Sequence, residues 1–386
     1  MKLKNLTIEN FRSFDHFTLS DLGRINLLVG TNNSGKTTIL EAANVLLSGE
    51  KLSAIWAVLA RRGEFCSDEI HPKNRSPLQQ FVDVRRLFRD HQINSNSIFR
   101  IKANDDVGDS EVEVSIVPAS ALALHLAQPS FAYTSPPSFS ENPIPSLSLN
   151  ISWKHGAVQN RDSLRRDVLL GNNGGLSSEL YTERSEWRWL AGAVSVNFLN
   201  NSSLSDSEVA SLYERIVLTP GEELVLESLR LIDSRIERMA STTSSEDSNP
   251  GYPTRGGILV RLTGTKERVP IASMGDGIWR MLGLALAMVH SANGILLIDE
   301  VDTGLHHSVM RKMWQFLDEC SKRSNVQIIA TTHSRDCYQS LATICREGVV
   351  DQSEVTIQRV ERGHSEAVAY SEAAIIAAAE RDIEVR

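Results

Sequence analysis

The alternation of apolar and polar residues over the first fifty positions predicts three strands followed by a helix. The segments KLKNLTIENF and HFTLSDL alternate, whereas RINLLVG is an almost continuous apolar run, as in a strand that is buried on both faces. After Gly30, the segment KTTILEAANVLLSG has apolar residues at helical spacing and ends near Gly49, a residue typical of helix C-caps. A second amphipathic helix is predicted over KLSAIWAVLARRG.

The middle of the chain has a weaker pattern. SIFRIKAND, SEVEVSIV, LSLNISW and AVSVNFL are predicted strands, and the proline-rich QPSFAYTSPPSFSENPIP is a predicted loop. Two helical patterns follow, SDSEVASLYERI and GEELVLESLRLIDSRIERMA, before a polar break rich in serine and threonine. We therefore expect an inserted α+β region, residues 96–254, between an N-terminal half, residues 1–95, and a C-terminal half, residues 255–386.

The last third of the chain alternates strand and helix three times. This is the pattern of a parallel sheet covered by helices. The predicted fold class is therefore α/β, with a central mixed, mainly parallel sheet flanked by helices and interrupted by the inserted region. No internal repeat of 20 to 50 residues is visible in the sequence.

Composition and charge exclude several classes of protein. The chain is 41% hydrophobic and 23% charged, close to globular averages, and no apolar run reaches the roughly 18 residues of a membrane span. The four cysteines form no C-x-x-C pair, so we expect neither a zinc nor a disulfide framework, and a cytoplasmic location. The net charge of −8 argues against non-specific coating of nucleic acid but leaves room for a local basic patch.

The strongest chemical signal is GTNNSGKT, Gly30 to Thr37, which matches the phosphate-loop pattern G-x-x-x-x-G-K-[ST]. Its glycines let successive backbone N–H groups point at phosphate oxygens, and the helix that follows adds its partially positive N-terminus. Lys36 is expected to reach the β- and γ-phosphates, and the Thr37 hydroxyl to bind Mg²⁺. The predicted nucleotide-binding residues of this loop are Asn32, Asn33, Ser34, Gly35, Lys36, Thr37 and Thr38.

Two strand ends supply further catalytic candidates besides Lys36. GILLIDEVDTGLHH places Asp299 and Glu300 at the carboxyl end of an apolar strand, where ligands bind in such sheets. Asp299 is expected to hold Mg²⁺, directly or through water, and Glu300 to orient or deprotonate the attacking water. NVQIIATTHSRD ends a second strand at His333, whose neutral ring can donate to the γ-phosphate or the water. Solvated carboxylates and a structural histidine are the alternatives.

A second anion-binding helix start is predicted at SMGDGIWR, residues 273–280. Ser273 can cap the helix, and Gly275 and Gly277 permit close approach of backbone N–H groups to an anion. Because the phosphate loop already encloses the phosphates of one nucleotide, this second start is expected to serve something else. The alternative, a capped core helix, also holds, since the apolar residues that follow must be buried.

Taken in order, these motifs resemble an ABC-type ATPase head of the P-loop NTPase class, with a phosphate loop, a signature, an acidic strand end, a D-loop and a switch histidine. The resemblance implies that Ser273, Gly275 and Gly277 contact the γ-phosphate held by another subunit, so that a homodimer or higher oligomer encloses ATP and Mg²⁺. The familiar signature is L-S-G-G-Q. Here Ala272 stands for its leucine, Met274 for its first glycine and Gly277 for its glutamine.

The segment IENFRSF, together with DEVDTGLHH, is similar to the non-transporter ABC ATPases of chromosome maintenance and repair, and most closely to the OLD (overcoming lysogenization defect) family. In those heads the arginine of this segment lies near the nucleotide, so Arg12 is a candidate contact. An exposed loop arginine is the alternative. Gln79 and Gln80 are candidates for the Q-loop glutamine. The resemblance covers about residues 1–95 and 255–386 and does not explain the insertion.

Two departures from these families shape the functional expectation. The chromosome-maintenance ATPases carry long heptad coiled coils, and no such pattern is present. OLD nucleases carry a TOPRIM domain after the ATPase, whereas this sequence continues for about 50 residues after His333. The resemblance therefore implies an ATPase-only form that regulates a separate effector, a TOPRIM-like nuclease, in bacterial anti-phage defence. No membrane partner is expected.

The alternative function is a DNA-repair ATPase that grips DNA directly, with nucleic acid as its partner. Clustered arginines could neutralise DNA phosphates, although arginines on solvated helices are the commoner explanation. The arginines in question are Arg85, Arg86, Arg89, Arg161, Arg165 and Arg166.

Overall fold

A computed structural model of the chain describes residues 2–49, 51–66, 81–106, 108–119, 147–155, 164–171, 174–177, 195–200, 204–241, 257–348 and 354–381. The proline-rich segment, Gln79, Gln80 and Arg161 lie outside the described residues. The chain divides into two compact units. The first comprises Met1–Leu3, Leu19–Leu40 and Val194–Arg386, and the second comprises Lys4–Thr18 and Glu41–Ala193.

The secondary structure follows the predicted order over most of the described chain. The strands are β1 (Leu3–Phe11), β2 (Phe14–Leu19), β3 (Ile25–Val29), β4 (Phe81–Asp83), β5 (Ile98–Asp105), β6 (Asp109–Pro118), β7 (Leu147–His155), β8 (Leu164–Leu169), β9 (Gly175–Ser177), β10 (Val196–Leu199), β11 (Ile236–Ser241), β12 (Ile258–Leu262), β13 (Arg268–Pro270), β14 (Ile295–Ile298), β15 (Gln327–Thr331), β16 (Val355–Arg359) and β17 (Val368–Ser371). The α-helices are α1 (Lys36–Leu47), α2 (Leu52–Arg61), α3 (Asp206–Glu214), α4 (Pro220–Arg230), α5 (Asp276–His290), α6 (His307–Ser324), α7 (Arg335–Arg346) and α8 (Glu372–Glu380).

The first unit contains a six-stranded sheet with the order β10-β14-β15-β3-β16-β17. Neighbouring strands from β10 to β16 run parallel, and β17 pairs with β16 in the antiparallel direction. Strand β3 is buried at every position, which explains its uninterrupted apolar sequence. Leu27 of β3 and Ile328 of β15 share one core with residues of the helices, such as Trp314 of α6. The predicted α/β class with a mixed, mainly parallel sheet flanked by helices is confirmed.

The strand order of this sheet decides where the chemistry lies. Strand β15 lies between β14 and β3, and all three run parallel. The phosphate loop follows β3, Asp299 follows β14, and His333 follows β15 by two residues. Because the carboxyl ends of parallel strands meet at one edge of a sheet, the three motifs are brought to that edge.

The second unit contains a sheet with the order β2-β1-β5-β6-β7-β8 and a small β4-β9 pair. From β5 to β8 the neighbours are antiparallel, and every second residue of β5 is buried. Strands β1 and β2 thus pair within a sheet that includes insertion strands. The compact units meet in sequence at Leu3/Lys4, Thr18/Leu19, Leu40/Glu41 and Ala193/Val194. The boundaries at 95 and 254 stay a prediction. Local patterns predict strands but not their distant partners.

The helix predicted over GEELVLESLRLIDSRIERMA ends earlier than its pattern indicates. Helix α4 stops at Arg230, and Ile236–Ser241 form β11, which is antiparallel to β12. Between them, Asp233 Oδ1 accepts a hydrogen bond from the backbone N–H of Arg235 at 3.0 Å, which closes a turn. The buried residues Ile236 and Met239 are three apart, a spacing that also suits a helix. Pairing with β12 therefore decides the conformation.

The described residues lack two kinds of feature. Among them, no helix combines the length and the apolar character that crossing a membrane requires. They also contain no group of three or more His, Cys, Asp or Glu arranged to hold a metal ion. The four cysteines of the chain are free thiols.

Candidate active site

The phosphate loop between β3 and α1 uses backbone conformations that favour small residues. Gly30 and Gly35 have φ angles of 143° and 102°, and Asn33 has a φ of 62°. A Cβ atom at Gly30 would lie 2.2 Å from the carbonyl oxygen of Val360, so only glycine fits there. The glycine spacing therefore follows from the path of the chain as well as from phosphate binding.

Lys36 is the first residue of α1, and its side chain turns back into the loop. Its ammonium group donates to the carbonyl oxygens of Gly30 and Thr31 at 2.8 Å each. Burial lowers the pKa of Lys36 to about 8, although the carboxylates of Asp299 and Glu300 act in the opposite direction. The ammonium group is therefore largely charged at pH 7. It also interacts electrostatically with the carboxylates of Asp299 and Glu300.

The other predicted loop contacts differ in exposure. Asn32 and Asn33 are exposed, whereas Ser34 and Thr38 are buried. The Ser34 hydroxyl oxygen accepts a hydrogen bond from Lys36 Nζ at 3.4 Å. The exposed part of the loop is thus open to a ligand, while the buried Ser34 contributes to the hydrogen bonds within the loop.

Thr37 and Asp299 face each other at the centre of the site. Thr37 Oγ1 lies 3.0 and 3.1 Å from the two carboxylate oxygens of Asp299 and donates to them. Thr331 Oγ1 donates to Asp299 Oδ1 at 2.7 Å and so fixes the carboxylate from the side of β15. Hydroxyl and carboxylate oxygens are the hard ligands that Mg²⁺ takes, usually with few protein groups and with substrate phosphates. The pair therefore fits a Mg²⁺ ion.

Glu300 follows Asp299 in an unusual backbone conformation, with a φ of 48°. Its backbone N–H donates to Thr331 Oγ1 at 2.8 Å, and its carboxylate accepts from Thr303 Oγ1 at 3.0 Å. The conformation turns the chain sharply at the strand end and directs the carboxylate into a cleft of about 360 Å³. The residues that line this cleft are Asn32, Glu300, Asp302, Thr303 and His333.

His333 lies across this cleft from the acidic strand end and is solvent-accessible. Partial desolvation, together with the positive charge of Lys36, lowers the pKa of the ring. The imidazole is therefore neutral at pH 7 and offers one donor and one acceptor nitrogen. This is the protonation state that the sequence interpretation requires.

The structure places the predicted signature at the start of α5, but Ser273 does not cap that helix. Its hydroxyl donates to the carbonyl oxygen of Pro270 at 2.7 Å and closes the preceding 3-10 turn. The N-cap is Gly275, which has a φ of 104° and provides no side chain. The expectation of a Ser273 cap is thus wrong for this structure. Because a Cβ atom at Gly275 would meet nothing within 4 Å, the helix start is open to a ligand.

Gly277 lies beside the D-loop, the loop that follows Glu300, a neighbour that the sequence interpretation did not include. A Cβ atom at this position would lie 3.5 Å from the carbonyl oxygen of Gly304 in the D-loop. A Cβ atom at Gly304, in turn, would lie 3.7 Å from Cβ of Asp276. The first turn of α5 therefore packs directly on the loop that follows Glu300.

Three residues that were not singled out in the sequence complete the site. Thr331 bridges the two acidic residues, and Asp302 lines the cleft while accepting from Thr332 Oγ1 at 2.6 Å. Arg280 is 2% exposed, and burial lowers the pKa of its guanidinium to about 10. A sequence signal for it exists, since an arginine within the apolar pattern GIWRMLGLALAM is a charge at a core position.

Arg12, the predicted nucleotide contact from IENFRSF, lies in the second unit and is 5% exposed. Its guanidinium pairs with Glu41 at 2.9 Å and with Glu64 at 2.8 Å, and Arg62 pairs with Glu41 at 2.7 Å. Burial raises the pKa of Glu41, opposed by the two arginines. The alternative of an exposed loop arginine is therefore wrong, while a contact between Arg12 and nucleotide stays a prediction.

This ion-pair network gives a stability prediction. Arg12→Ala is expected to lower the free energy of unfolding by about 3 kcal/mol, because it removes a cation from two carboxylates of which Glu41 is buried. Urea unfolding followed by circular dichroism measures the loss. Arg89→Ala is the matched control, since Arg89 pairs with Asp15 at the surface and its removal should lower the free energy of unfolding far less. Equal losses in the two variants would show that burial of the network contributes nothing.

The lowered pKa of Lys36 gives a pH prediction for ligand binding. Above a pKa of about 8 the free amine predominates, so ATP binding must be accompanied by proton uptake. We expect the affinity for ATP to fall about tenfold for each pH unit above that value, and to be insensitive to this group below it. Titration calorimetry between about pH 7 and pH 10 measures this dependence. In Lys36→Arg the charge persists over the range, so a steep fall in that variant would assign the effect to another group.

Two segments of the chain are similar to families of known proteins. A family model described as "AAA ATPase domain" matches residues 1–131, and one described as "AAA domain, putative AbiEii toxin, Type IV TA system" matches residues 214–336. An "ATP/GTP phosphatase" of Helicobacter pylori is 22% identical over 354 residues, 89% of each chain. The DNA replication and repair protein RecF of Clostridioides difficile is 46% identical over 50 residues, 13% of this chain and 14% of RecF.

Solved structures with related folds include two SMC heads. The SMC head domain from Thermotoga maritima has a TM-score of 0.42 and 16% identity, covering 96% of this chain and 99% of its own. The Smc head domain with an extended coiled coil, bound to the C-terminal domain of ScpA and derived from Pyrococcus furiosus, has a TM-score of 0.46 and 13% identity, covering 99% and 100%.

The first matched segment contains the phosphate loop, and the second contains Asp299, Glu300 and His333. Both segments thus match models of AAA ATPase domains, and the fold is an α/β fold with a phosphate loop between β3 and α1. The enzymatic activity of the chain is the hydrolysis of ATP.

Proposed function

We propose that this ATPase dimerises around ATP and regulates a separate effector protein in the cytoplasm, in bacterial defence against phage. The observation that carries the proposal is the separation of two anion sites within one unit. Lys36, Thr37 and the acidic strand end gather at one sheet edge. The start of α5 is open to solvent, and Ser273 and Gly275 are not among the described residues that line the cleft. Such a start suits the nucleotide of a second subunit.

In the proposed mechanism each residue acts through the contacts described above. Lys36 exchanges its two loop carbonyls for the β- and γ-phosphates of ATP. Thr37 and Asp299 would hold Mg²⁺, which would supply charge neutralisation at the phosphates. Glu300 orients the attacking water and accepts its proton, and the neutral ring of His333 donates to the γ-phosphate.

A second subunit completes this site in the proposed dimer. The exposed Ser273 and Gly275 of the partner bind the γ-phosphate from the side that the phosphate loop leaves open. ATP supplies contacts that exist only in the closed state, so hydrolysis shifts the population towards the open state. The effector would respond to that shift.

The defence role is supported by resemblance and by one family description. The motifs resemble the OLD family, and a TOPRIM-like nuclease is the proposed effector. The model that matches residues 214–336 is described with a toxin of a type IV toxin–antitoxin system, which has two components. Both point to an ATPase that acts together with the product of another gene.

The experiment that tests this proposal is co-expression with the product of the adjacent gene, followed by phage challenge. We expect a stable complex from two-step affinity purification, protection of cells by the pair, and loss of protection when Glu300 is replaced by glutamine. The ATPase chain expressed alone is the control. Protection that is independent of Glu300, or two proteins that never associate, would overturn the regulatory role.

Direct DNA binding is the alternative, and the local identity with RecF favours it. Two of the candidate arginines are partly engaged already, since Arg85 and Arg86 pair with Asp83 at 2.7 and 3.5 Å. Arg89 likewise pairs with Asp15. The discriminating measurement is DNA affinity against salt concentration. A steep linear fall of log K with log[salt] for the isolated ATPase would favour the repair function, and affinity too weak to measure at low salt would leave the effector function.

A further inference from the structure

Arg280 is a fully buried cation on the helix that begins at the signature. Its guanidinium donates to three backbone carbonyl oxygens: Asn200 at 2.8 Å, Asp299 at 3.0 Å and Glu300 at 2.7 Å. Burying an arginine is costly, and the planar guanidinium offers five donors in a fixed arrangement. Because the Arg280 side chain donates to the carbonyl oxygens of both acidic residues, it fixes the backbone at Asp299 and Glu300.

The backbone of Glu300 is held from both sides by these contacts. Its N–H donates to Thr331 Oγ1 at 2.8 Å, and its carbonyl accepts from Arg280 at 2.7 Å. Between these two bonds the residue adopts a φ of 48°, which costs on the order of 1 kcal/mol or more for a residue with a side chain. The hydrogen bonds offset this strain. Without Arg280, the peptide at the strand end would be free to relax and the carboxylate would change direction.

The same helix touches the D-loop at a second point. The first turn of α5 lies next to Gly304, since a Cβ atom added at Gly277 would come within 3.5 Å of the Gly304 carbonyl oxygen and one added at Gly304 within 3.7 Å of Asp276 Cβ. Arg280 lies one helical turn further along and reaches the other end of the same loop at Glu300. The loop from Glu300 to Gly304 is thus held against α5 at both ends, so a movement of the helix start is transmitted to it.

We propose that Arg280 is a positioning residue that couples the signature of one subunit to the catalytic glutamate of the same subunit. Occupation of the exposed start of α5 by the partner's nucleotide sets the position of α5. Arg280 transfers that position to the carbonyls of Asp299 and Glu300, and hence to the Glu300 carboxylate. Each site thereby responds to the nucleotide in the other. This inference rests on the proposed dimer for its second step, while the positioning of Glu300 lies within one chain.

The test compares Arg280→Met and Arg280→Lys with Arg24→Met. Methionine fills a similar volume without donors, and lysine keeps the charge but cannot span three carbonyls. Arg24 is the matched control because it is buried in the same unit, where it contacts Asp318 and Glu354 at 3.4 and 3.5 Å. It precedes β3 and thus lies at the end of the strand away from the phosphate loop.

We expect Arg280→Met to lower kcat roughly 100-fold, with the Kd for ATP changed less than about twofold, and Arg280→Lys to recover part of the loss. Arg24→Met should lower thermal stability and leave kcat per folded molecule unchanged. In a Glu300→Gln background, Arg280→Met should cost almost nothing further, because the group that it positions is already inactive. An undiminished kcat in both Arg280 variants, or an equal loss with and without Glu300, would overturn the inference.

Hydrogen exchange of the amides from Asp299 to Thr303 gives a second readout that needs no turnover. Arg280→Met is expected to raise exchange at these positions, including the Glu300 amide that now donates to Thr331, whereas Arg24→Met should not. If Arg280→Met fails to fold, Arg280→Lys provides the same comparison. Should the wild-type protein fail to hydrolyse ATP, the proposed function fails, and unchanged exchange in the Arg280 variants would separately overturn the positioning role.

Discussion

Glu300→Gln is expected to lower ATP turnover by roughly 100- to 10,000-fold while leaving ATP affinity nearly unchanged. The glutamine keeps the size and the hydrogen bond from Thr303 but cannot accept a proton from water. Because hydrolysis no longer opens the dimer, the variant should accumulate as a closed pair with ATP and Mg²⁺.

Steady-state phosphate release measures the loss of turnover, and sedimentation velocity with and without ATP measures the closed pair. Glu347→Gln is the control, since Glu347 pairs with Arg311 at the surface of the same unit. It should behave as wild type in both measurements. Turnover at the wild-type rate in Glu300→Gln would remove Glu300 from the mechanism.

The second large effect concerns the sharing of sites between subunits. Ser273→Arg should block hydrolysis, because a long cation at the exposed start of α5 obstructs the approach of the partner's nucleotide, yet ATP should still bind the phosphate loop of the same chain. Lys36→Ala should abolish ATP binding, since the ammonium is the cation within the loop. Each variant alone is therefore expected to be inactive.

Mixing the two variants restores one intact site in every mixed dimer, formed by the phosphate loop of one chain and the signature of the other. With random pairing, half of the dimers are mixed and each carries one working site, so we expect about a quarter of the wild-type rate. Differently tagged chains verify that mixed dimers form. If they form and activity remains at the level of the separate variants, the arrangement in trans is wrong.

The sequence predicted those parts of the site in which function and local pattern coincide. The phosphate loop is contiguous, so the positions of Lys36 and Thr37 follow from one motif. Asp299 and Glu300 follow from a different rule, that an apolar strand in a parallel sheet presents its next residues at the ligand edge. The register of β14 beside β15, with Ile298 opposite Ala330, then brings them to Thr331 and towards His333. The proximity of these side chains thus depends on the strand order of the sheet, which the motifs themselves do not contain.

The parts that were missed depend on partners distant in sequence. Arg280 reads as an irregularity in a helix until its contacts with Asn200 and Glu300 are known. The pairing of β1 with β5 cannot be inferred from two alternating patterns. From the sequence, the Ser273 hydroxyl could cap the following helix. The path of the 3-10 turn instead brings it to the carbonyl oxygen of Pro270.

The inward hydrogen bonds of Lys36 have a consequence for ligand choice. The Lys36 ammonium already donates to two neutral carbonyl oxygens at 2.8 Å. A ligand therefore gains affinity at this lysine only if its own acceptors form stronger hydrogen bonds than those carbonyls do. Phosphate oxygens that carry charge do so, and charge-assisted hydrogen bonds are about twice as strong as neutral ones. A nucleoside or a monophosphate that does not reach the lysine gains nothing from it. The contacts of Lys36 within the loop therefore favour ligands that bring charged phosphate oxygens to the ammonium group.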